Sequence, residues 1–477
     1  MILTRRSAIG LLAGTVPAIL SKRSAAAQQV GIQIAPGPFK GTRESLREYR
    51  VPDWYRDAKF GIWAHWGPQS AAEYGDWYAR NMYMQGSRQY NCSMGVHHDN
   101  FDLWNSKFQP RWNAVAAGPK KDIVGLFRKA ALKAGLKFAV SEHLSNSYNW
   151  FATSHGSDKD GPLAGVPYDG ADPQYSDLYH PLAKDFEIAK AQAMGRIAPD
   201  SWKQLYFNRI KDLVDNYQPD LLYTDGAIPF EEYGLALVAH LYNSNASRHG
   251  GKVEAVYTSK GRQDSETGTC VLDLERGIAG GIPVNPWQTD TCIGNWHYDK
   301  EAKYKAPKRV IDMLVDIVSR NGNLMLNFPL PNSGELDAEE MKILSEITKW
   351  MAVNSEGIYS TRPWRIFGDG PVASAPAAGA RGDRFNERNR KDFTAEEVRF
   401  TTKGKTIYAF VMGWPEKEAV VKPVGSNSSV EKVKVRNVEL LGFKGKLKWA
   451  QEETALRVQM PPEKPCDYAI TLRISRA

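Results

Sequence analysis

The chain has 477 residues, of which 42% are hydrophobic and 24% charged, with a formal net charge of +8. This is the composition of an ordinary globular protein with room for one large and one small domain. Arg5, Arg6, Lys22 and Arg23 supply four of the positive charges, so the chain beyond them carries +4, which gives no argument for a nucleic-acid partner.

At the N-terminus, Thr4-Arg5-Arg6-Ser7 precedes an apolar stretch from Ala8 to Leu20, then Lys22, Arg23 and Ala25-Ala26-Ala27. Paired arginines, a short apolar stretch and small residues before Gln28 predict a cleavable twin-arginine-type signal over residues 1–27, and with it a periplasmic or secreted protein. The stretch is too short to span a bilayer and no later run is long enough, so stable membrane insertion is not expected. Cys92, Cys270, Cys292 and Cys466 are too scattered for a disulfide scaffold, although a Cys270–Cys292 pair stays open, and the lack of any CxxC argues against a cysteine-bound zinc.

After a loose lead-in from Gly31 to Arg50, Lys59 to Gly67 (KFGIWAHWG) is the first strand candidate. A helix is predicted from Lys121 to Gly135, with Ile123, Leu126, Phe127, Ala130 and Ala134 on one face, followed by a strand from Lys137 to His143 (KFAVSEH). Trp202, Leu205, Ile210, Leu213 and Val214 keep helical spacing from Asp200 to Tyr217. A turn, Tyr217-Gln218-Pro219-Asp220, then leads into the apolar run Leu221-Leu222-Tyr223-Thr224, which stops abruptly at Asp225-Gly226. Such a run suits a strand covered on both faces, and in a barrel of alternating strands and helices its C-terminal end is where chemistry sits. The same Asp-Gly pair also suits a plain turn cap.

Val310, Met313, Leu314, Ile317 and Val318 form another helical face, Asn323 to Leu330 resumes as a strand, and a last helix lies around Ala338 to Met351. The alternation predicts an α/β chain, a (β/α)8-like barrel over residues 28–365. Gly368 to Arg390 is rich in Gly, Ala, Pro and Arg and can build little core. Short β-type runs at Val398 to Phe400, Thr406 to Met412 and Val433 to Leu441 predict a small C-terminal antiparallel β-sandwich over residues 366–477.

His65, Glu142, His143 and Asp225 fall at the ends of strand candidates, where a barrel enzyme places its working groups. Between the first two strands, Ala72-Glu73-Tyr74-Gly75-Asp76-Trp77-Tyr78 sets carboxylates beside flat aromatics. That pairing suits a sugar, whose hydroxyls take charge-assisted hydrogen bonds while its apolar face stacks on a ring; it equally suits a core tryptophan and a solvated acid. Gly95-Val96-His97-His98-Asp99 looks like a ligand cluster, but adjacent histidines point apart and no second cluster accompanies them, so no metal is expected. No GxSxG, P-loop or GxGxxG in strand–helix context occurs, so serine-hydrolase, nucleotide and dinucleotide readings lack support and no cofactor is expected.

Five segments in order resemble the α-L-fucosidases of glycoside hydrolase family 29: KFGIWAHWG, GDWYARNMY at 75–83, Tyr217 through Gly226, PWQTDTCIGNWHY at 286–298 and SRNGNLMLNFP at 319–329. The likeness runs from about Tyr55 to Trp364, and EEVRFTTKGKTIYAFVMGWP is similar to that family's C-terminal β-sandwich. It implies an exo-acting retaining hydrolase that removes terminal α-linked L-fucose from an oligosaccharide or glycoconjugate through a covalent glycosyl-enzyme. By position Asp225 matches the family nucleophile, His65 the histidine of its first strand and His143 one of a double-histidine pair. Asp76 and Trp77 take the place of an acidic–aromatic pair, with Asp where Glu is more usual. Tyr223, Arg276 and Trp296 join the expected sugar contacts, as does Glu142, which stands where the other histidine is usual.

The likeness fails at one decisive point. Where many relatives carry Trp-Glu as acid/base, this chain has Trp287-Gln288, and glutamine cannot transfer a proton. A retaining glycosidase needs a second carboxyl about 5 to 5.5 Å from the nucleophile, protonated at rest. Glu275 is favoured, with Asp290 and Asp273 as alternatives and Glu142 a more remote one. The rival readings are a fucose-binding protein that has lost turnover and a hydrolase of a related sugar such as α-L-galactose.

Overall fold

Seven short strands form one parallel sheet in the computed structural model, which describes residues 32–87, 100–155, 159–162, 164–180, 197–374 and 385–477. They are β1 (Phe60–Trp63), β2 (Ala139–Glu142), β3 (Leu221–Thr224), β4 (Val256–Ser259), β5 (Val271–Asp273), β6 (Trp287–Cys292) and β7 (Gly322–Asn327). Their order is β1-β7-β6-β5-β4-β3-β2, so in the described residues β1 and β2 are the two edges. The sheet curls until side chains meet across it: the Tyr223 hydroxyl on β3 reaches Asp290 on β6, and its ring lies 4.9 Å from that of Trp63 on β1. This is the barrel expected, with seven described strands. Residues 1–27, Cys92 and the His97-His98-Asp99 cluster fall outside the described residues.

Helices cover the outside. α1 (Ile123–Lys133), α2 (Asp200–Tyr217) and α3 (Glu232–Arg248) flank β2 to β4, while α4 (Pro307–Ser319) and α5 (Ala338–Asn354) flank β7. α3 is buried nearly all round, with Leu237, Val238, Ala239, Leu241 and Tyr242 in the core and His240, Asn243 and Asn245 buried beside them, as befits a helix clasped between the sheet and the N-terminal lead-in. α1 departs from expectation. Leu126 and Phe127 on its presumed core face are about half exposed, and only Ile123 and Val124 are buried, because the helix meets the layer through its first turn.

The chain then builds β8 (Arg362–Asp369), β9 (Val398–Lys403), β10 (Thr406–Val411), β11 (Glu418–Val421), β12 (Val435–Leu440), β13 (Trp449–Gln451), β14 (Leu456–Gln459) and β15 (Ile470–Arg476). They make a five-stranded sheet, β12-β15-β10-β9-β8, and a three-stranded one, β11-β14-β13, all antiparallel and packed over Phe400, Ile407, Leu456, Val458 and Leu472. Gly404, at φ 58, makes the two-residue β9–β10 turn that a right-twisted hairpin requires.

Barrel and sandwich are joined by a buried charge node. On α4, Asp316 Oδ1 accepts from Arg399 Nε at 2.7 Å and Arg320 Nε at 3.2 Å, and Oδ2 from Arg390 Nη1 at 3.1 Å. Burial alone would raise the Asp316 pKa, but Arg399, Arg320 and Arg390 together hold it well below the usual carboxylate range. A depressed folded-state pKa adds stability that is present above the unfolded value and is lost as pH falls through the folded one. Asp316→Ala removes the acceptor shared by three guanidiniums and is expected to cost roughly 3–5 kcal/mol, read as a lower midpoint in urea unfolding.

Candidate active site

The strands deliver ionisable groups to one rim. His143 follows β2, Asp225 follows β3, Lys260 follows β4, and Glu275 stands two residues beyond β5. Lys260 is the hub. Its side chain is almost wholly buried, and its Nζ lies 2.7 Å from Asp225 Oδ1, 2.8 Å from Glu275 Oε2 and 3.6 Å from Asp290 Oδ2. Burial opposes the charge on Lys260, but Asp225, Asp290 and Glu275 around it raise its pKa well above the ordinary lysine value, so the ammonium persists.

The carboxyls around that ammonium differ sharply. Glu275 is raised by burial; Lys260 pulls it down, Asp290 and Asp225 push it up, and the net direction is upward. Asp273 is pushed well up, first by full burial and then by Asp290, with Lys260 opposing. Its Oδ1 accepts from Gln288 Nε2 at 2.9 Å, and the Gln288 Oε1 accepts from the Tyr55 hydroxyl at 3.1 Å, so this layer plugs the barrel interior. Asp290 Oδ2 accepts from the Tyr223 hydroxyl at 2.9 Å just above.

Aromatic and histidine side chains line the side nearest β1. The rings of His143, Trp296 and His297 lie 5.4, 5.2 and 5.3 Å from that of His65. Asn327, at the end of β7, fixes His65 through Oδ1, which contacts Nδ1 at 2.8 Å and accepts from the backbone amide at 2.9 Å. Burial, then His297 and His143, push the His65 pKa well down, favouring a neutral imidazole that donates and accepts at once. His143 Nδ1 is 3.5 Å from Asp225 Oδ2, opposite the lysine contact. Asp76 accepts from the amides of Trp296 at 3.2 Å and His297 at 2.8 Å, and so pins that loop. Trp77, at φ 66 and about half exposed, stands beside it edge-on to buried Trp150 at 5.0 Å.

Two family models match the chain: α-L-fucosidase over residues 26–93 and 87–356, and the α-L-fucosidase C-terminal domain over residues 390–475. The chain belongs to the α-L-fucosidase family. It is 24% identical to the mouse tissue α-L-fucosidase over 503 residues, covering 93% of this chain and 96% of that one. It is likewise 24% identical to the human plasma α-L-fucosidase, with 92% of each covered. Among solved structures, the Thermotoga maritima α-fucosidase crystallised with fucose superposes with a TM-score of 0.64 at 20% identity, covering 91% of this chain and all of that one. The parallel barrel with its antiparallel tail is therefore the fucosidase architecture, and the family is one of glycoside hydrolases.

Within this fucosidase-family site, Asp225, Glu275, His65, His143, Trp296 and Arg276 converge. The Arg276 guanidinium lies 4.9 Å over Trp296, and its Nη2 contacts Cys292 Sγ at 2.7 Å. Three expected contacts are engaged elsewhere. Glu142 accepts from the hydroxyls of Thr224 and Tyr206, the latter at 3.2 Å, on the helix side of the sheet, because it pairs in register with outward-facing Thr224. The Tyr223 hydroxyl is committed to Asp290, leaving its ring as floor, and the Asp76 carboxylate is committed to the 296–297 backbone. Cys270 and Cys292 are both free and buried, so they do not pair.

Lys260, His297 and Asn327 carry much of the geometry and lie outside the sequence-derived set. For Lys260 the signal was Tyr257-Thr258-Ser259-Lys260, a β-type run ending in a charge just as the Asp225 strand does, while His297 and Asn327 lay inside the quoted segments 286–298 and 319–329. Lys260→Met leaves buried carboxylates uncompensated, with an expected loss of roughly 3–5 kcal/mol of stability. It also removes the positive charge that pulls Glu275 down, so the basic limb of a kcat/KM–pH profile, which reports the acid, should move to higher pH.

Proposed function

We propose that this chain is an exported, retaining exo-α-L-fucosidase in which Asp225 is the nucleophile and Glu275 the acid/base. One observation carries the mechanism: Lys260 Nζ touches both carboxyls, at 2.7 and 2.8 Å, so the bonded oxygens are at most about 5.5 Å apart, the two contacts laid end to end. Retaining glycosidases hold their pair at about 5–5.5 Å, whereas inverting ones need several ångströms more to admit water. Exposure supports Glu275 over its alternatives. Its side chain is 17% exposed, against 1% for Asp290, and Asp273 is sealed below.

In the first step the Asp225 carboxylate bonds to the anomeric carbon while the glycosidic bond breaks and Glu275 gives its proton to the departing oxygen. In the second, Glu275 as carboxylate takes a proton from water, the resulting hydroxide equivalent bonds to the anomeric carbon, and Asp225 leaves. Lys260 sets its ammonium 2.7 Å from the Asp225 carboxylate, and the upward push on Glu275 favours its protonated resting form. The names of the relatives support fucose as the sugar, and His65, Trp77 and Trp296 supply hydroxyl and ring contacts of the right kind. The Arg5-Arg6 leader supports export, and no helix among the described residues is long and apolar enough to cross a membrane.

The test is the stereochemistry of hydrolysis. With 4-nitrophenyl α-L-fucoside followed by proton NMR, the first-formed sugar should be α-L-fucose, mutarotating to the β anomer afterwards. Initial release of β-L-fucose, or turnover confined to an α-L-galactoside, would overturn the proposal.

A further inference from the structure

The segment between β8 and β9, which composition marked as unable to build a core, is wired into the catalytic rim. Phe385 N donates to the Glu275 carbonyl at 2.9 Å and Glu387 N to the Arg276 carbonyl at 3.0 Å. Asn386 Nδ2 donates to the Ile278 carbonyl at 3.1 Å. The Glu387 carboxylate is itself buried, with Oε2 accepting from Thr291 Oγ1 on β6 at 2.6 Å and Oε1 paired with Lys305 Nζ at 2.8 Å. On the far side, Arg309 Nη2 on α4 donates to the carbonyls of Glu387 and Arg390, both at 3.0 Å, and Arg390 enters the Asp316 node.

What this segment grips is a strained turn. Arg276 sits at φ 45, in the left-handed region that a side chain with a Cβ enters at a cost of roughly 1–2 kcal/mol. Its amide donates to the Asp290 carbonyl at 2.8 Å, and the Gly277 amide donates to the Leu274 carbonyl at 2.9 Å. The carbonyls of Glu275 and Arg276 are thus met by partners contributed from more than a hundred residues downstream, and strain of this kind persists only where surroundings over-determine it.

We propose that residues 385–390 form a positioning strap for the acid/base, with Glu387 as its anchor, so that the connection between β8 and β9 of the C-terminal sandwich sets where the Glu275 carboxyl stands relative to Asp225. The inference rests on the assignment of Glu275 made above. Its chemical basis is that proton transfer demands a donor within hydrogen-bond reach of the leaving oxygen, and that a misplacement of about 1 Å can cost about a hundredfold. Glu387 is a positioning residue: its amide holds the Arg276 carbonyl and its carboxylate ties the strap to Thr291 and Lys305.

The experiment compares Glu387→Ala, Glu387→Gln and Glu275→Ala on two substrates: 4-nitrophenyl α-L-fucoside, whose leaving group needs little help from an acid, and a fucosyl disaccharide, whose sugar alcohol needs much. For Glu387→Ala we expect kcat on the disaccharide to fall about tenfold or more with KM little changed, and kcat on the aryl fucoside to hold within about threefold. Glu387→Gln keeps an acceptor for Thr291 and should restore most of the loss. It is also the variant to read if the alanine form does not fold. Equal losses on both substrates, or none on either, while Glu275→Ala discriminates between them, would overturn the strap alone. Failure of Glu275→Ala to discriminate would overturn the acid/base assignment and the strap with it.

Discussion

Asp225→Gly should leave a folded protein whose fucosidase activity is at least about 10³-fold below that of the parent, and exogenous azide should restore part of it. The carboxylate sits on the rim with 13% of its side chain exposed, and Glu275 and Asp290 still answer Lys260 once it is gone, so its loss costs chemistry before it costs stability. Removing it also opens a space on the nucleophile's side of the anomeric carbon. Azide entering there displaces the activated aryl leaving group in one step, and the product is a fucosyl azide of inverted configuration. An azide product of retained configuration would mean that a second nucleophile remains. No rescue, with turnover near that of the parent, would place the nucleophile elsewhere. Loss of Asp225 also frees one of the three acceptors around Lys260, so the ammonium would swing further onto Glu275. The rescued enzyme should therefore favour substrates that need little acid.

The second large effect is expected of Glu275→Ala. General-acid assistance contributes typically 10²–10⁴-fold, and all of it is forfeited where the leaving group is a sugar alcohol. With 4-nitrophenolate the glycosylation step needs little protonation, so the loss should be smaller there and should lie in deglycosylation, where no base remains to activate water. A burst of 4-nitrophenolate followed by slow turnover is the expected trace. In the parent, the basic limb of the kcat/KM profile reports the acid. Since burial and the neighbouring carboxylates raise Glu275, activity should extend above the ordinary carboxylate range and fall as Glu275 deprotonates. That limb should vanish in the alanine variant.

Much of the architecture was written in hydrophobic pattern. β3 was legible because all four of its residues are buried between barrel interior and helices, which makes the apolar run continuous and the arrival of Asp225 conspicuous. β6 was not. Trp287-Gln288-Thr289-Asp290-Thr291-Cys292 is buried at every position, yet four of its six residues are polar, since inward Gln288 and Asp290 pair with Tyr55, Asp273 and Tyr223, and Thr291 on the other face pairs with Glu387. β5 is three residues long, too short for any period to register. Lys260 stayed hidden for a related reason: a lysine after a short run reads as a solvated stem, and only its carboxylate partners on three other strands explain why it is buried. Glu142 was found at the right place and aimed wrongly. Adjacent side chains on a strand face opposite ways, so a rim that receives His143 sends Glu142 to the helices.

The wiring between the two sheets bears on how such a chain can be recombined. A barrel inherited without its tail would keep a carboxylate at 316 with a single arginine left to answer it, and bare carbonyls at 275 and 276 beside the reacting centre. Such a barrel exchanged between lineages would arrive crippled, although every residue that touches sugar came with it. Crossovers that separate the two sheets should accordingly be rare among functional descendants, while a surface hairpin such as the one at Gly404 can change freely. In this chain the tail is a heritable part of the catalyst, and drift in the two halves is expected to be correlated across the 385–390 junction.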